Sequence, residues 1–305
     1  MTQQEKILVI GSSNTDMVVK SEHLPRPGET VLGGVFQMIP GGKGANQAVA
    51  AASLEGNVTF IAKVGQDLFG KEAIVGFKAR GINVDHIYTD HHTPSGVALI
   101  MVDGKGENSI SVALGANNEL SSDDIVQKSA IIEDSGFLLI QLEIPIESVR
   151  KAIQIAKQNN TKVILNPAPA QSLDEDLLSG VDIITPNESE AKLLTNINVT
   201  DIDSAGRAAS LLRKKGIPIV IITMGAQGAY VRSDELDELI PGYRVKAIDS
   251  TAAGDTFNGA LTVALAEGLS LRSAIGFANQ AAAFSVTKLG AQTSVPSKND
   301  LSTIQ

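Results

Sequence analysis

Along its whole length the chain alternates short β-branched apolar runs with stretches of helical periodicity, and this rhythm narrows the fold further than any other property of the sequence. The apolar runs fall at 7–10, 58–61, 137–140, 163–165, 181–185 and 219–223. Between them, stretches at 43–54, 68–80, 146–159 and 200–215 carry helical patterning, each near a Gly, Asn or Pro. Such alternation predicts a parallel sheet sandwiched between helices. The two strongest helical patterns come late. In 254–267, Phe257, Ala260, Leu261, Ala264 and Leu265 recur at helical spacing with Gly268 as a natural stop, and Leu271, Ala274, Ile275, Ala278 and Ala282 repeat the pattern.

Two segments, approximately 17–40 and 86–114, break the rhythm. The second holds the runs GVALIMVD and NSISVAL around Asp103 and Gly104, the pattern of two strands joined by a turn. No Pro-rich or Ser-rich linker, repeat or low-complexity tract separates them from the rest. Residues 1–305 are therefore expected to form a single α/β domain with a small β-sheet inserted as a lid. Open sheets of this kind bind ligands at the carboxyl ends of their strands, so the chemistry is to be sought in the loops that follow them.

With 43% hydrophobic residues among 305, the chain can bury a substantial core. It has no cysteine, which removes disulfides and thiolate metal sites and makes the cytoplasm the expected location. The apolar run at 7–10 is too short for a signal peptide or a membrane span, so no membrane partner is expected. The 34 acidic residues outnumber the 25 basic ones, which are scattered, for a net charge of −9. With no Trp, three Tyr and eight Phe to stack on bases, nucleic acid is not an expected partner either.

Several clusters stand where ligands would bind. Gly41-Gly42-Lys43-Gly44-Ala45-Asn46 precedes a helix. Its glycines let backbone approach a ligand beside free helix N–H groups, or they serve only as a turn. It is not a P-loop, because Gly44 stands where Ser or Thr is needed. Asp249-Ser250-Thr251-Ala252-Ala253-Gly254-Asp255 brings small residues and a carboxylate to a positive helix end, which suits phosphate. Asp255 on its own also fits a residue that only stabilises the first turn. Glu143 follows the strand near 140 and fits a ligand contact or a solvated loop acid. Asn187-Glu188-Ser189-Glu190 has the spacing of a capping box. Asn14 and Asp16, beyond the first strand, fit an ordinary turn. Thr223-Met224-Gly225-Ala226-Gln227-Gly228 lacks a dinucleotide fingerprint and fits a tight turn into a strand around Tyr230. His23, His86, His91 and His92 show no zinc-like spacing.

Seven motifs in this order carry a resemblance: Gly11-Ser12-Ser13-Asn14-Thr15-Asp16, Pro27-Gly28-Glu29-Thr30, GGKGANQAVAAA from Gly41, Gly65-Gln66-Asp67-x-x-Gly70, Asn166-Pro167-Ala168-Pro169, Thr185-Pro186-Asn187-Glu188, and AAGDTFNGAL from Ala252. Over essentially its whole length the chain resembles the ribokinase-like carbohydrate kinase family. The resemblance implies a three-layer α/β/α sandwich with a mostly parallel central sheet and a small β-sheet lid that covers the sugar and makes homodimer contacts. It implies ATP-dependent phosphorylation of D-ribose at the 5-hydroxyl. The alternatives are a kinase for fructose, a keto-deoxy sugar acid, deoxyribose or a nucleoside, and a sugar sensor without catalysis.

Carried over by motif, Asn14, Asp16, Gly42, Lys43, Asn46 and Glu143 would bind sugar hydroxyls, with Asp255 as general base. The backbone of Ala252, Ala253, Gly254 and Asp255 would hold the moving phosphoryl group. Asn187, Thr223, Gly225, Gly228 and Asn279, with Gly254, would line the ATP site, and Glu190 would organise Mg²⁺ through water. An activating K⁺ would lie near Asp249, Thr251, Ser285, Lys288, Gly290 and Ser294. The chain departs from the family at Ala252, where Gly is common, at Ser250, where Thr is usual, and at Asn279, where some members have His. The methyl of Ala252 leaves its N–H intact, while the change at Asn279 bears directly on the adenine contact.

Overall fold

A computed structural model of the chain describes residues 5–302. Strand β1 (Ile7–Ile10) runs into β2 (Asn14–Lys20) and β3 (Val35–Gly41), and α1 (Lys43–Ser53) leads back to β4 (Val58–Ile61). A short pair, β5 (Lys63–Gly65) and β6 (Tyr88–Asp90), flanks α2 (Leu68–Ala79) in the chain, and β7 (Gly96–Val102) and β8 (Asn108–Ala113) follow. Helices α3 (Ser122–Val126) and α4 (Ser129–Glu133) precede β9 (Phe137–Ile140), which α5 (Ile146–Gln158) connects to β10 (Lys162–Leu165). Then come α6 (Glu175–Leu178), β11 (Ile183–Ile184), α7 (Glu188–Thr195), α8 (Ile202–Lys214), β12 (Ile219–Thr223), β13 (Gly228–Arg232) and β14 (Asp237–Pro241). The chain ends in α9 (Ala253–Ala266), α10 (Leu271–Ser285) and α11 (Lys298–Leu301).

Among the described residues, the main sheet has eight strands in the order β14-β13-β12-β11-β10-β9-β1-β4. The pairings from β12 through β4 are parallel, and β13 and β14 close one edge antiparallel. Strands buried on both faces must be apolar throughout, and β1 is: Ile7 and Val9 join the core under α1, α9 and α10, while Leu8 and Ile10 join the one under α5 and α8. The strand order turns back at β1, between β4 and β9, which is the switch point where such sheets open a crevice.

On one face α1 and α9 pack unusually close. A Cβ on Gly259 would lie 2.6 Å from the Ala50 Cβ and 2.8 Å from the Gln47 carbonyl oxygen, so a larger residue would push the helices apart. A separate four-stranded sheet, β3-β2-β7-β8, forms the lid. Its register places Asn14 and Asp16 on one face with Ala98, Ile100, Ile110 and Val112, and puts Val19, Phe36, Met38, Leu99 and Met101 on the other.

Two expectations change. Asn14 and Asp16 are not in a turn, because their backbones pair with Gly41 and Ile39 on one side and Gly96 and Ala98 on the other. The run at 181–185 yields a strand only at Ile183–Ile184, because the Asp182 carboxylate, not a strand carbonyl, accepts from the Val163 N–H at 2.8 Å.

Candidate active site

The carboxyl ends of β1 and β9 lie side by side, and the site is assembled on the loops that leave them. Gly42 precedes α1 with φ 89°, and a Cβ on it would sit 2.7 Å from the Asn14 nitrogen, so only glycine allows the turn. Gly42 has no side chain to cap α1, and the cap comes from across the sheet. Glu143 Oε2 accepts from the Lys43 N–H at 3.0 Å and from Ser12 Oγ at 2.6 Å. A carboxylate there satisfies an orphan donor and meets the positive end of the helix dipole. Asp16 lies against the bare Cα of Gly41, where a Cβ would come within 2.3 Å of its carboxylate. The Asn14 amide oxygen accepts from buried Asn117 Nδ2 at 2.7 Å, and Asn117 Oδ1 accepts from the Ser13 N–H at 2.8 Å. The anchor on a backbone donor fixes both amides, leaving the nitrogen of Asn14 as the end turned from Asn117.

Helix α9 starts after Ala252, which is left-handed at φ 59°, and its N-cap makes no side-chain hydrogen bond. The Ala253 N–H closes a turn on the Ser250 carbonyl at 3.2 Å, and the Thr256 N–H bonds the Ala252 carbonyl at 2.8 Å. The N–H groups of Gly254 and Asp255 are thus the orphan donors of the first turn. A Cβ on Gly254 would meet nothing within 4 Å. The glycine faces a cavity of about 200 Å³ whose walls include Lys43, Thr185, Asn187, Glu190, Thr223 and Asp255. Asp255 does not cap its own helix. Its carboxylate turns to α1, Oδ2 accepting from Asn46 Nδ2 at 3.0 Å and Oδ1 from Gln47 Nε2 at 2.9 Å.

Four carboxylates and one ammonium share this corner. Burial pushes the pKa of Asp255 up, against the pull of Lys43, Asn46 and Gln47. Burial, with Glu143 and Asp255 nearby, raises Asp16 to about 6. Glu190 is also raised by burial, despite the bond from Asn187 and the charge of Lys43. Burial works against the charge of Lys43, but Asp255, Glu143, Glu190 and Asp16 outweigh it and raise its pKa. Perturbed groups of opposite sign in one crevice are what a proton-transfer site requires.

Asn187 and Glu190 form the capping box that their spacing predicts: the Asn187 side chain accepts from the Glu190 N–H at 2.8 Å, and Glu190 accepts from the Asn187 N–H at 2.9 Å. Thr223 bridges Asn187 at the end of β12. Gly228 is required by the backbone, since φ is 108° and a Cβ would lie 2.2 Å from the Ile240 carbonyl oxygen, whereas Gly225 faces open space. Asn279 Nδ2 donates to the carbonyls of Ile240 and Pro241 at 3.0 and 3.2 Å, tying α10 to the end of β14. Gly225, Gly228 and Asn279 lie outside the walls of the cavity.

The Asp249 carboxylate accepts from the Thr251 N–H and hydroxyl and from the Gly290 N–H, joining two loops beside α9. These bonds outweigh its burial and keep its pKa low. Ser285 and Ser294 spend their hydroxyl protons on the carbonyls of Ala282 and Ala291, and Lys288 lies over the Phe284 ring. Among the described residues no three His, Asp or Glu converge to hold a metal. The anionic, oxygen-rich loop at Asp249 would suit a hard cation. Glu190 accepts from the Asn187 N–H on Oε2 and from Asn187 Nδ2 on Oε1, one bond on each oxygen, and its remaining lone pairs would suit a hydrated Mg²⁺ held through water.

The profile of the pfkB family carbohydrate kinases matches residues 4–298. The chain belongs to the pfkB family of carbohydrate kinases. This kinase is 48% identical over 297 residues to the ribokinase of Haemophilus influenzae, covering 97% of each chain. Its fold matches that of Thermotoga maritima ribokinase with a TM-score of 0.90 at 37% identity, over 98% of both chains. It also matches Arabidopsis thaliana ribokinase, solved with ribose and ATP, with a TM-score of 0.89 at 30% identity over 98% of both. Sequence reasoning missed Ser12, Gln47, Asn117 and Asn258 of the kinase, the last lining the cavity and accepting from the Thr185 hydroxyl at 2.6 Å. Ser12, Gln47 and Asn258 lie inside quoted motifs, but no spacing rule distinguishes them from residues that merely pack.

Proposed function

We propose that the kinase transfers the terminal phosphoryl group of ATP to the 5-hydroxyl of D-ribose, giving ribose 5-phosphate and ADP. The observation that carries this is the buried Asp255 carboxylate, bonded to Asn46 and Gln47 instead of capping α9, one residue from the open cavity at Gly254. A base needs such a position, within reach of an acceptor hydroxyl and beside the donors that hold phosphate.

In this reading Asp16 accepts hydrogen bonds from two neighbouring sugar hydroxyls, while Asn14, Lys43 and Asn46 orient the rest, with Gly42 and Glu143 fixing the loop. As the 5-oxygen attacks the terminal phosphorus and the bond to the ADP oxygen breaks, Asp255 takes the hydroxyl proton. The orphan N–H groups of Gly254 and Asp255, framed by Ala252 and Ala253, meet the charge on the moving phosphoryl group. ATP lies toward Asn187, Thr223, Gly225 and Gly228, with Asn279 bracing the wall behind it. Glu190 would hold Mg²⁺ through water, where it would supply charge neutralisation on the phosphates, and Asp249, Thr251, Ser285, Lys288, Gly290 and Ser294 would surround a K⁺ that would add positive potential at the start of α9. The need for ATP supports a cytoplasmic location. Among the described residues no helix is long and apolar enough to cross a membrane. Apolar side chains exposed on both lid faces, such as Leu99 and Ile110, support a homodimer formed through the lid.

The test is ADP release with ribose, 2-deoxyribose, fructose and adenosine, each in potassium and in sodium at matched ionic strength. Ribose in potassium is expected to give the highest kcat/KM. A faster rate with another acceptor would reassign the substrate, and equal rates in the two salts would remove the bound cation while leaving the kinase.

A further inference from the structure

Asp255 does not stand alone under the sugar site. Behind it runs a chain of buried side-chain amides from α1 and the ends of β9 and β10. Gln47 Nε2 donates to Asp255 Oδ1 at 2.9 Å and to Asn166 Oδ1 at 3.0 Å, and Gln47 Oε1 accepts from Gln141 Nε2 at 2.5 Å. Gln47 and Gln141 are completely buried, and Asn166 is nearly so. The direction of every bond is fixed from outside the chain. Asn166 Nδ2 donates to the Thr185 carbonyl at 3.3 Å, so its oxygen faces Gln47. Gln47 must then turn its nitrogen toward both Asn166 and the carboxylate, and only its oxygen is left for Gln141.

The cost of this arrangement shows that it is more than filling. The Gln141 Oε1 is buried without a hydrogen-bond partner, an expense that an apolar residue of the same size would avoid. The backbone also makes room for it: a Cβ on Gly11 would lie 2.1 Å from that oxygen.

We propose that Gln47 is a positioning residue for phosphoryl transfer: held by Gln141 and Asn166, it fixes the Asp255 carboxylate so that an oxygen stays aimed at the acceptor hydroxyl. The inference rests on Asp255 being the general base. A carboxylate held by one donor on each oxygen is kept from rotating about its Cβ–Cγ bond, and each oxygen keeps a lone pair, one of which can take the incoming proton. Without Gln47 it is held only through Asn46, and misplacement of a reacting group by about 1 Å costs on the order of a hundredfold in rate. The donor also favours the ionised form. The charges facing Asp255, which are Lys43 on α1, Asp16 on β2, Glu143 after β9 and Glu190 on α7, stay in place when Gln47 is replaced.

The experiment is steady-state kinetics with ribose and ATP across pH for Gln47→Met, Gln141→Met and Asp255→Asn, with a thermal melt of each. Gln47→Met is expected to lower kcat by about tenfold to a hundredfold, to leave the ribose KM within about threefold, and to move the acidic limb of kcat to higher pH. Gln141→Met, which removes only the brace on Gln47, is expected to lower kcat less and in the same sense. It decides the matter if Gln47→Met does not fold. Wild-type kcat and acidic limb in a folded Gln47→Met, a loss confined to KM, or an unaltered Gln141→Met when Gln47→Met cannot be made would each overturn the proposal. Asp255→Asn separates the two readings: if it too retains turnover, the base assignment fails, whereas if it alone is inactive only the role of Gln47 fails.

Discussion

At the residue scale the site is governed by what burial does to charge. Asp16 is raised to about 6, so before sugar binds it is partly protonated just below neutrality. Two consequences follow with opposite signs. For function, the ionised form is the one that accepts two hydroxyl hydrogen bonds, so the ribose KM should fall as pH rises from 5 to 7. Asp16→Asn should abolish that dependence and weaken sugar use by about 1.5 to 3 kcal/mol while sparing the KM for ATP. For stability, the folded chain binds the Asp16 proton more tightly than the unfolded chain does. Its contribution is therefore complete below the ordinary aspartate pKa and lost as pH rises through about 6. Asp16→Asn should then be more stable than wild type without ligand at pH 7.5, by about 1 to 3 kcal/mol in unfolding free energy, and no more stable at pH 4. A raised KM for ATP with an unchanged KM for ribose would reverse the placement of the two subsites.

At the scale of elements, α9 meets the cavity with a glycine where helix propensity asks for alanine. The backbone at Gly254 is helical and its missing Cβ faces open space, so nothing steric in the protein itself requires glycine. Gly254→Ala should raise stability by about 0.5 to 1 kcal/mol. It should also lower kcat/KM for ATP, because the added methyl occupies the approach to the orphan N–H groups. A melt that rises with no loss of ATP use would show that phosphate does not pass there. The long elements were legible in the sequence. The apolar strands β1, β4, β9 and β12 lie where their runs predict, and α1, α2, α5, α9 and α10 end within about a turn of their patterns, because a core on both faces writes itself into hydrophobic periodicity. The short pieces β5, β6, β14, α3 and α4 were not legible, since three to five residues hold too little pattern to stand out. The same limit applied to the site. The capping box at Asn187 is local and was readable, but the cap that Glu143 gives α1 and the turn of Asp255 toward Asn46 are made across 100 and 209 residues of sequence. No spacing rule spans such distances.

At the scale of the whole molecule, the lid and the sandwich divide the work. The lid face bearing Asn14 and Asp16 carries Ile100, Ile110 and Val112 beside Gln37 and Lys20, and the reverse face exposes Phe36, Met38 and Leu99, each more than half accessible. Patches of this kind mark association surfaces. The kinase should sediment as a dimer at micromolar concentration, and Leu99→Lys combined with Ile110→Lys, one on each face, should yield a folded monomer. A wild-type monomer would contradict the lid interface. The sandwich in turn brings α1 and α9 together through Gly259, and Asp255 joins them through its bonds to Asn46 and Gln47. The most direct measurement is therefore kcat of Asp255→Asn with ribose and ATP, taken beside calorimetric ribose affinity and a thermal melt of the same preparation. Asn keeps the shape and can still be held by its neighbours, but it cannot take the proton. The account predicts a fall in kcat of about 10² to 10⁴ with ribose binding near wild type and melting no lower than wild type, whereas near-normal turnover would contradict it.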